Sequence, residues 1–238
     1  MKAIILAGGL GTRISEETVT KPKPMVLIGG KPILWHIMSI YAAKGITEFI
    51  IAAGYKSEYI QEWVSSLQTA WKIRVVDTGI STQTGGRISM CMDLIPGERA
   101  FVTYGDGLAD VDVTAVLDFH LKQTAIATVT AVRPPARFGF LESQNGRVVS
   151  FSEKSQADVG WINGGFFVLE PEVQNYIHSS DEPFEFEPMT RLVEAEKLYA
   201  FQHHGFWKPM DTLRDRTELE KLAEMNPPPW KIDVKKDS

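Results

Sequence analysis

Cysteine and long apolar runs are nearly absent from this chain. Its single cysteine, Cys91, excludes an internal disulfide and, beside Met90 and Met92, is typical of a packed apolar residue. No apolar run approaches the roughly 20 residues that a membrane-spanning helix needs. Because Met1 and Lys2 lead directly into an apolar strand, the start of the chain does not resemble a signal peptide. We therefore expect a cytoplasmic protein without a membrane partner.

Basic residues are also fewer than acidic ones. The 25 Lys and Arg residues against 30 Asp and Glu give a formal net charge of −5. There is therefore no basic excess that would bind nucleic acid by bulk electrostatics, and we expect no nucleic-acid partner. With 238 residues, of which 44% are hydrophobic, one domain can bury a core without disulfides or metals.

Glycines interrupt the first apolar run. Residues Ala3 to Ala7 are typical of a buried strand, and the run ends at Gly8, Gly9 and Gly11. Glycine adopts positive φ angles and permits close approach of the backbone to a ligand. A buried strand followed by such a loop favours a phosphate-binding turn.

Hydroxyl and cationic side chains follow the same glycines. Thr12 and Arg13 bring a hydroxyl donor and a guanidinium into the loop, and Lys21 and Lys23 come next, each followed by a proline. Backbone amides, an arginine and lysines after a buried strand match the dense negative charge of a polyphosphate.

Three kinds of site compete for this loop. A Rossmann dinucleotide site requires a third glycine, where Ile14 stands, and an acidic residue after the second strand, Glu48 to Ala53, where none occurs. A P-loop requires Gly-Lys-Ser/Thr, whereas this loop has Gly11-Thr12-Arg13. A tight turn with solvated cations is the third interpretation, although a turn alone needs none of the cations.

The glycine loop resembles the signature of the sugar-1-phosphate nucleotidylyltransferases, in Leu6-Ala-Gly-Gly-Leu-Gly-Thr-Arg13 and Lys21-Pro-Lys23-Pro. Enzymes of this family join a nucleoside triphosphate to a sugar 1-phosphate, release pyrophosphate and use Mg²⁺. Further segments resemble its cytidylyl-transferring branch: Lys31-Pro-Ile-Leu-Trp-His-Ile-Met38, Val76-Asp-Thr-Gly79, Thr84-Gly-Gly-Arg87, Thr103-Tyr-Gly-Asp-Gly107, Trp161-Ile-Asn-Gly-Gly-Phe-Phe-Val-Leu169, Gly205-Phe-Trp-Lys-Pro-Met-Asp-Thr-Leu213 and Pro229-Trp-Lys231.

The resemblance implies a reaction of CTP with glucose 1-phosphate that gives CDP-glucose, by direct in-line attack and in a homo-oligomer. The same chemistry with another nucleotide or another phosphorylated acceptor is the nearest alternative. A nucleotide-binding homologue without catalytic activity is an alternative of a different class.

Strands that alternate with helices predict an α/β fold. With the resemblance, the expected architecture is a Rossmann-like, doubly wound mixed sheet of the nucleotidyltransferase (glycosyltransferase-A-like) type. A β-hairpin around Asn145-Gly146 is expected in its sugar-binding half. We predict one domain over 1–238, with a nucleotide-binding half at about 1–110, a sugar-phosphate-binding half at about 111–225 and a tail at 226–238.

Two aspartates are the candidate metal ligands. Asp106 lies between glycines just past a buried strand, where ligands bind in open α/β sheets. On spacing alone, a ligand for Mg²⁺ and a solvated turn aspartate are about equally good interpretations of it. The resemblance matches Asp106 and Asp211 to the two metal-binding aspartates of the family. Locally, Asp211 also suits the N-cap of a helix that starts near Thr212.

The remaining site residues share a match to family positions. Arg87 suits either a phosphate or a cytosine carbonyl, and without the resemblance Glu153 and Lys154 would be an exposed charge pair. The predicted catalytic residues are Arg13, Lys23 and Lys154. The predicted nucleotide-binding residues are Leu6, Gly8, Gly9, Gly11, Thr12, Arg13, Lys23, Thr78, Gly85, Arg87 and Asp106. The predicted sugar-phosphate-binding residues are Gly139, Glu153, Lys154 and Asn163.

Overall fold

A computed structural model of the chain describes residues 1–9, 11, 18, 20–134, 140–152 and 160–231. The predicted α/β fold is confirmed. The strands are β1 Lys2–Ala7, β2 Leu27–Ile28, β3 Lys31–Pro32, β4 Glu48–Ala53, β5 Lys72–Asp77, β6 Ala100–Tyr104, β7 Gly107–Ala109, β8 Ala127–Val132, β9 Phe140–Gln144, β10 Arg147–Ser152, β11 Ile162–Leu169, β12 Leu198–Gln202 and β13 Trp207–Pro209. The α-helices are α1 Ile33–Ala42, α2 Ser57–Ser66, α3 Thr84–Met92, α4 Val113–Leu121, α5 Glu187–Glu194 and α6 Leu213–Ala223.

Seven strands form the central sheet, in the order β12-β8-β11-β6-β1-β4-β5. Strand β11 runs antiparallel to both of its neighbours, and the other neighbouring pairs are parallel. The predicted mixed sheet is therefore confirmed. Because parallel strands end at one edge, the segments that follow β1, β5 and β6 lie together there, next to the first residues of β11.

The core lies on both faces of the sheet. In β1, Ala3, Ile5 and Ala7 pack on the face that α1 covers, whereas Ile4 and Leu6 pack on the face that α3 covers. This burial on both sides explains why the strand is a continuous apolar run rather than an alternating one. On the second face, the thiol of Cys91 is fully buried, as its apolar neighbours in the sequence predicted.

A short ribbon lies outside the central sheet. Strand β7 pairs antiparallel with β13, with Gly107 opposite Pro209. The N–H of Met210 also donates to the carbonyl of Asp106 at 2.8 Å. This pairing brings Asp106, at the start of one strand, beside Asp211, just past the end of the other. No pattern in the sequence predicts the ribbon, because strands of three residues are too short to show a periodicity.

Helix α6 starts with a capping box, which corrects one prediction. Thr212, and not Asp211, is the N-cap: its hydroxyl accepts from the N–H of Asp215 at 3.2 Å. The carboxylate of Asp215 accepts from the N–H of Thr212 at 2.9 Å and from the N–H of Asp211 at 3.2 Å. A threonine hydroxyl caps as an aspartate would, and its use here leaves the Asp211 carboxylate for other contacts.

Candidate active site

A cavity of about 620 Å³ opens at the carboxyl edge of the parallel strands. Nine of the predicted site residues line it: Leu6, Gly8, Gly9, Gly11, Lys23, Arg87, Asp106, Asn163 and Asp211. The wall also contains residues that the sequence did not single out as ligands, among them Ile80, Thr82, Gln83, Thr84, Tyr104 and Trp207. The structure thus gathers segments from both halves of the chain around one space.

Lys23 lies between the two candidate metal ligands. Its ammonium donates to Oδ2 of Asp106 at 2.6 Å and to Oδ1 of Asp211 at 2.8 Å. Its side chain is only 12% exposed. Burial disfavours the ammonium, but the attraction of both aspartates outweighs burial and raises the pKa of Lys23 above its ordinary value. The lysine therefore stays charged, and the carboxylates together favour a cation at this point.

The glycine loop needs its glycines for different reasons. Gly11 has a φ of 63°, in the left-handed region that side chains disfavour. At Gly8 the constraint is space, because an added Cβ would lie 1.9 Å from Nη1 of Arg87. At Gly9, an added Cβ would meet no described atom within 4 Å. There is therefore space for a side chain at Gly9 but not at its neighbour Gly8.

Arg87 holds the ends of several strands together. Its guanidinium donates to the carbonyl of Ala53 at 3.0 Å, to the carbonyl of Gly8 at 3.1 Å and to the hydroxyl of Thr78. These acceptors lie at the carboxyl ends of β4, β1 and β5. Burial lowers the pKa of Arg87, partly offset by Asp77. Its predicted contact with a phosphate or a cytosine carbonyl stays a prediction, because the donors described here are directed at the protein.

Thr78 and Gly85 lie behind the cavity wall. The hydroxyl of Thr78 is buried and donates to the carbonyl of Ala53 at 2.6 Å. An added Cβ at Gly85 would lie 2.6 Å from the carbonyl oxygen of Glu182, so this glycine permits close packing of α3. Neither residue is among those that line the cavity. Gly85 and Arg87 both lie in the first turn of α3.

Asn163 enters the cavity from the first residues of β11. Its Oδ1 accepts from the N–H of Gly165 at 2.8 Å, and its Nδ2 donates to the hydroxyl of Tyr104 at 3.1 Å. Trp207 closes this side of the cavity, where its Nε1 donates to the carbonyl of Gly164 at 2.8 Å. Tyr104 was detectable as a polar residue at the end of a buried strand, directly before the Gly-Asp-Gly segment.

Five of the predicted site residues lie outside the described part of the chain. They are Thr12, Arg13, Gly139, Glu153 and Lys154. Their roles stay predictions of the family resemblance.

Comparison with known proteins agrees with this site. The family model described as "Nucleotidyl transferase" matches residues 2–222. The chain belongs to the nucleotidyl transferase family. Among curated proteins of this family, it is 48% identical to the glucose-1-phosphate cytidylyltransferase of Salmonella typhi, over 97% of this chain and 99% of that protein. It is 41% identical to the probable glucose-1-phosphate cytidylyltransferase of Bacillus subtilis, over 98% of this chain and 100% of that protein.

Solved structures of nucleotidyl transferase fold are also similar. HddC from Yersinia pseudotuberculosis, complexed with GMP-PN, has a TM-score of 0.72 and 25% identity, over 92% of this chain and 98% of that chain. A putative glucose-1-phosphate thymidylyltransferase from Bacillus anthracis, in complex with a sucrose, has the same TM-score and 23% identity, over 95% and 96%. The second likeness shows the shared fold alone.

Two further observations bear on the predictions for this family member. The alignment with the Salmonella typhi protein spans 254 positions, more than the 238 residues of this chain, so that protein has residues that this chain lacks. Within the described residues, no helix is both long enough and apolar enough to cross a bilayer.

Proposed function

We propose that this nucleotidyl transferase joins CTP and glucose 1-phosphate to give CDP-glucose and pyrophosphate, in a reaction that depends on Mg²⁺. The observation that carries the choice of substrates is the 48% identity, over nearly the full length of both chains, to the Salmonella typhi protein of that name. The site supports the chemistry independently, because a lysine and two carboxylates meet in the wall of the cavity that the glycine loop also lines.

Mg²⁺ would be held by Asp106 and Asp211. Among the described residues, no cluster of three or more His, Cys, Asp or Glu side chains is present. A pair of carboxylates fits Mg²⁺, which takes one or two carboxylates in such sites and fills its other positions with substrate phosphates and water. The ammonium of Lys23 between the same oxygens supports a preference for positive charge there. When bound, Mg²⁺ supplies neutralisation of the charge that moves onto the leaving pyrophosphate.

The protein's own residues bind and orient the two anions. The glycine loop, which is open at Gly9, leaves room for the triphosphate against the backbone, and Lys23, with the predicted Arg13, balances its charge. Asn163 binds the sugar, together with the predicted Gly139, Glu153 and Lys154. An oxygen of the sugar phosphate attacks the α-phosphorus; one P–O bond forms as the bond to the β-phosphate oxygen breaks. No general base is needed, because the attacking oxygen is already ionised.

The test measures pyrophosphate release with Mg²⁺ across a matrix of nucleoside triphosphates and sugar 1-phosphates. We expect release with CTP and glucose 1-phosphate, at least ~100-fold less in Asp106→Asn. Asp118→Asn, an exposed carboxylate on α4, is the matched control and keeps full activity. Release with a different pair would keep the chemistry and overturn the substrates. Nucleotide binding without release from any pair would favour the catalytically silent alternative.

We also propose that the enzyme is a cytoplasmic homo-oligomer, as its family resemblance implies. Sedimentation equilibrium at micromolar concentration is the direct measurement of its assembly. A mass equal to 26.6 kDa at every concentration would overturn the oligomer.

A further inference from the structure

A chain of three side chains runs from the cavity into the protein. Asn163 Nδ2 donates to the hydroxyl of Tyr104 at 3.1 Å, and that hydroxyl donates to Oε1 of Glu185 at 2.5 Å. Asn163 and Tyr104 line the cavity, whereas Glu185 is not among the described residues that do. Glu185 lies just before α5, in a segment for which the proposed reaction has so far no role.

The direction of these hydrogen bonds follows from the chemistry of the groups. A carboxylate only accepts, so the Tyr104 hydroxyl must give its proton to Glu185 and present its oxygen to Asn163. The N–H of Gly165 donates to Asn163 Oδ1 at 2.8 Å, and a backbone N–H only donates. The positions of the oxygen and the nitrogen of the Asn163 amide are therefore both determined. One N–H of Asn163 is left to donate to an acceptor in the cavity.

Packing keeps this hydrogen-bond relay of Asn163, Tyr104 and Glu185 in place. An added Cβ at Gly165 would lie 2.3 Å from Cδ2 of Tyr104, so the ring lies directly against that backbone. The ring is therefore held by packing as well as by the hydrogen bonds of its hydroxyl.

The second oxygen of Glu185 fixes the other side of the cavity. Oε2 accepts from the hydroxyl of Thr84 at 2.6 Å, and Thr84 in turn accepts from the N–H of Phe184 at 2.7 Å. Thr84 is the first residue of α3 and lines the cavity. One carboxylate thus ties β6, the start of β11 and the start of α3 into one wall.

We propose that Glu185 is a positioning residue for acceptor recognition, which acts through Tyr104 to hold the Asn163 amide as a hydrogen-bond donor to one hydroxyl of the sugar 1-phosphate. This inference rests on the proposed function and extends it to a residue that does not touch the substrate. A sugar hydroxyl can both accept and donate, so the held amide selects the arrangement in which the sugar oxygen accepts, and an amide that is free to turn loses that selection.

The first experiment compares Glu185→Gln and Tyr104→Phe with the wild type in steady-state kinetics. The amide in Glu185→Gln can donate to the tyrosine oxygen, which reverses the relay, and Tyr104→Phe keeps the ring but removes the relay. We expect the KM for glucose 1-phosphate to rise about 3- to 10-fold in each, with the KM for CTP changed less than about twofold. Glu187→Gln, an exposed carboxylate two residues along, is the matched control and leaves both KM values unchanged.

The second experiment identifies the hydroxyl, with 2-, 3-, 4- and 6-deoxyglucose 1-phosphates as probes. In the wild type, we expect one deoxy sugar to show an increased KM from loss of the Asn163 contact. That penalty disappears in Glu185→Gln and in Tyr104→Phe, and the double variant is no worse than either single one, because all three changes break the same contact. A general loss of structure would not remove the penalty for one hydroxyl selectively.

The outcomes separate the two proposals. Equal penalties for every deoxy sugar in wild type and variants, or a parallel rise in the KM for CTP, would overturn the role of Glu185 while the reaction stands. No pyrophosphate release from the wild type with any pair would overturn the proposed function and the inference with it. Thermal unfolding of each variant checks that Tyr104→Phe and Glu185→Gln are folded, and either variant alone is sufficient for the test.

Discussion

Lys23 donates a hydrogen bond to Asp106 at 2.6 Å, although 83 positions separate the two residues in the chain. The same ammonium reaches Asp211, which follows Lys23 by 188 positions. A cation of the protein is therefore held by the two carboxylates that are proposed to hold Mg²⁺. An ammonium and a metal ion at the same oxygens compete, so that binding of one weakens binding of the other.

The first prediction follows from this competition. In the absence of nucleotide, we expect Lys23→Met to bind Mg²⁺ about 10-fold more tightly than the wild type, because no ammonium competes for the carboxylates. Pyrophosphate release falls at least ~100-fold in the same variant, since a cation that balances phosphate charge is lost. Isothermal titration calorimetry measures the affinity. Lys122→Met, at an exposed lysine after α4, is the control. Equal affinities in Lys23→Met and the wild type would contradict the competition.

The second prediction compares two adjacent glycines. Gly8→Ala places a Cβ 1.9 Å from the Arg87 guanidinium, which must move and lose its bonds to the carbonyls of Gly8 and Ala53. We expect a loss of about 1–3 kcal/mol in the free energy of unfolding. Gly9→Ala meets no described atom within 4 Å and stays within about 0.5 kcal/mol of the wild type. Urea unfolding of the ligand-free protein measures both.

A double variant checks the cause that we assign. If Arg87 is the residue that Gly8→Ala displaces, the cost of Gly8→Ala is much smaller in an Arg87→Ala background. Additive costs would show that the added methyl group acts on something else.

The third prediction concerns the capping box. We expect Asp215→Ala to lower the free energy of unfolding by about 1–2 kcal/mol, because the N–H groups of Thr212 and Asp211, at the N-cap of α6 and just before it, lose their acceptor. Asp211 also loses its backbone bond to Asp215, so more Mg²⁺ is needed for half-maximal activity. Thr212→Ser keeps the capping hydroxyl and serves as the control. An unchanged Mg²⁺ requirement in Asp215→Ala would show that the capping box does not position Asp211.

The fourth prediction is a pH dependence at the start of α4. Burial of Asp112 is outweighed by its bonds from Lys44 and Thr114, which lower its pKa from 3.8 to about 2. A carboxyl group whose pKa is lower in the folded than in the unfolded protein stabilises the folded state at pH values above its unfolded pKa. This contribution disappears as the pH falls from about 4 to about 2. The stability advantage of the wild type over Asp112→Asn, about 0.3–1 kcal/mol at neutral pH, should therefore shrink across that window.

Urea unfolding of the two proteins between pH 2 and pH 7 gives that difference directly. Because other carboxyl groups titrate equally in both proteins, they cancel. A difference that stays constant down to pH 2 would mean that the Asp112 charge contributes nothing to folding.

Local patterns in the sequence were enough to predict much of the sheet. The apolar run from Ala3 to Ala7 lies in strand β1, the glycine loop follows it, and Asn145-Gly146 turns the hairpin between β9 and β10. In each case the signal lies within a few neighbouring residues: a continuous apolar run, or a pair of residues suited to positive φ.

Contacts between distant segments could not be predicted in this way. The pairing of β7 with β13 joins two three-residue strands that lie far apart in the chain, so no local pattern marks either partner. Arg87 could equally have turned its guanidinium towards a ligand, because the sequence does not say which carbonyls surround it. Glu185 had no distinguishing feature in the sequence, since its role depends on Tyr104 from another strand.

The β7–β13 ribbon also sets the time at which the site can exist. During synthesis, β1, the glycine loop, Lys23 and Asp106 emerge in the first half of the chain, but Asp211 emerges only near its end. The N-terminal strands can pair early, whereas the paired carboxylates require closure of the long loop between Asp106 and Asp211. A chain interrupted before Asp211 therefore has a glycine loop but only one of the two carboxylates. The complete site forms only when synthesis of the chain is nearly finished.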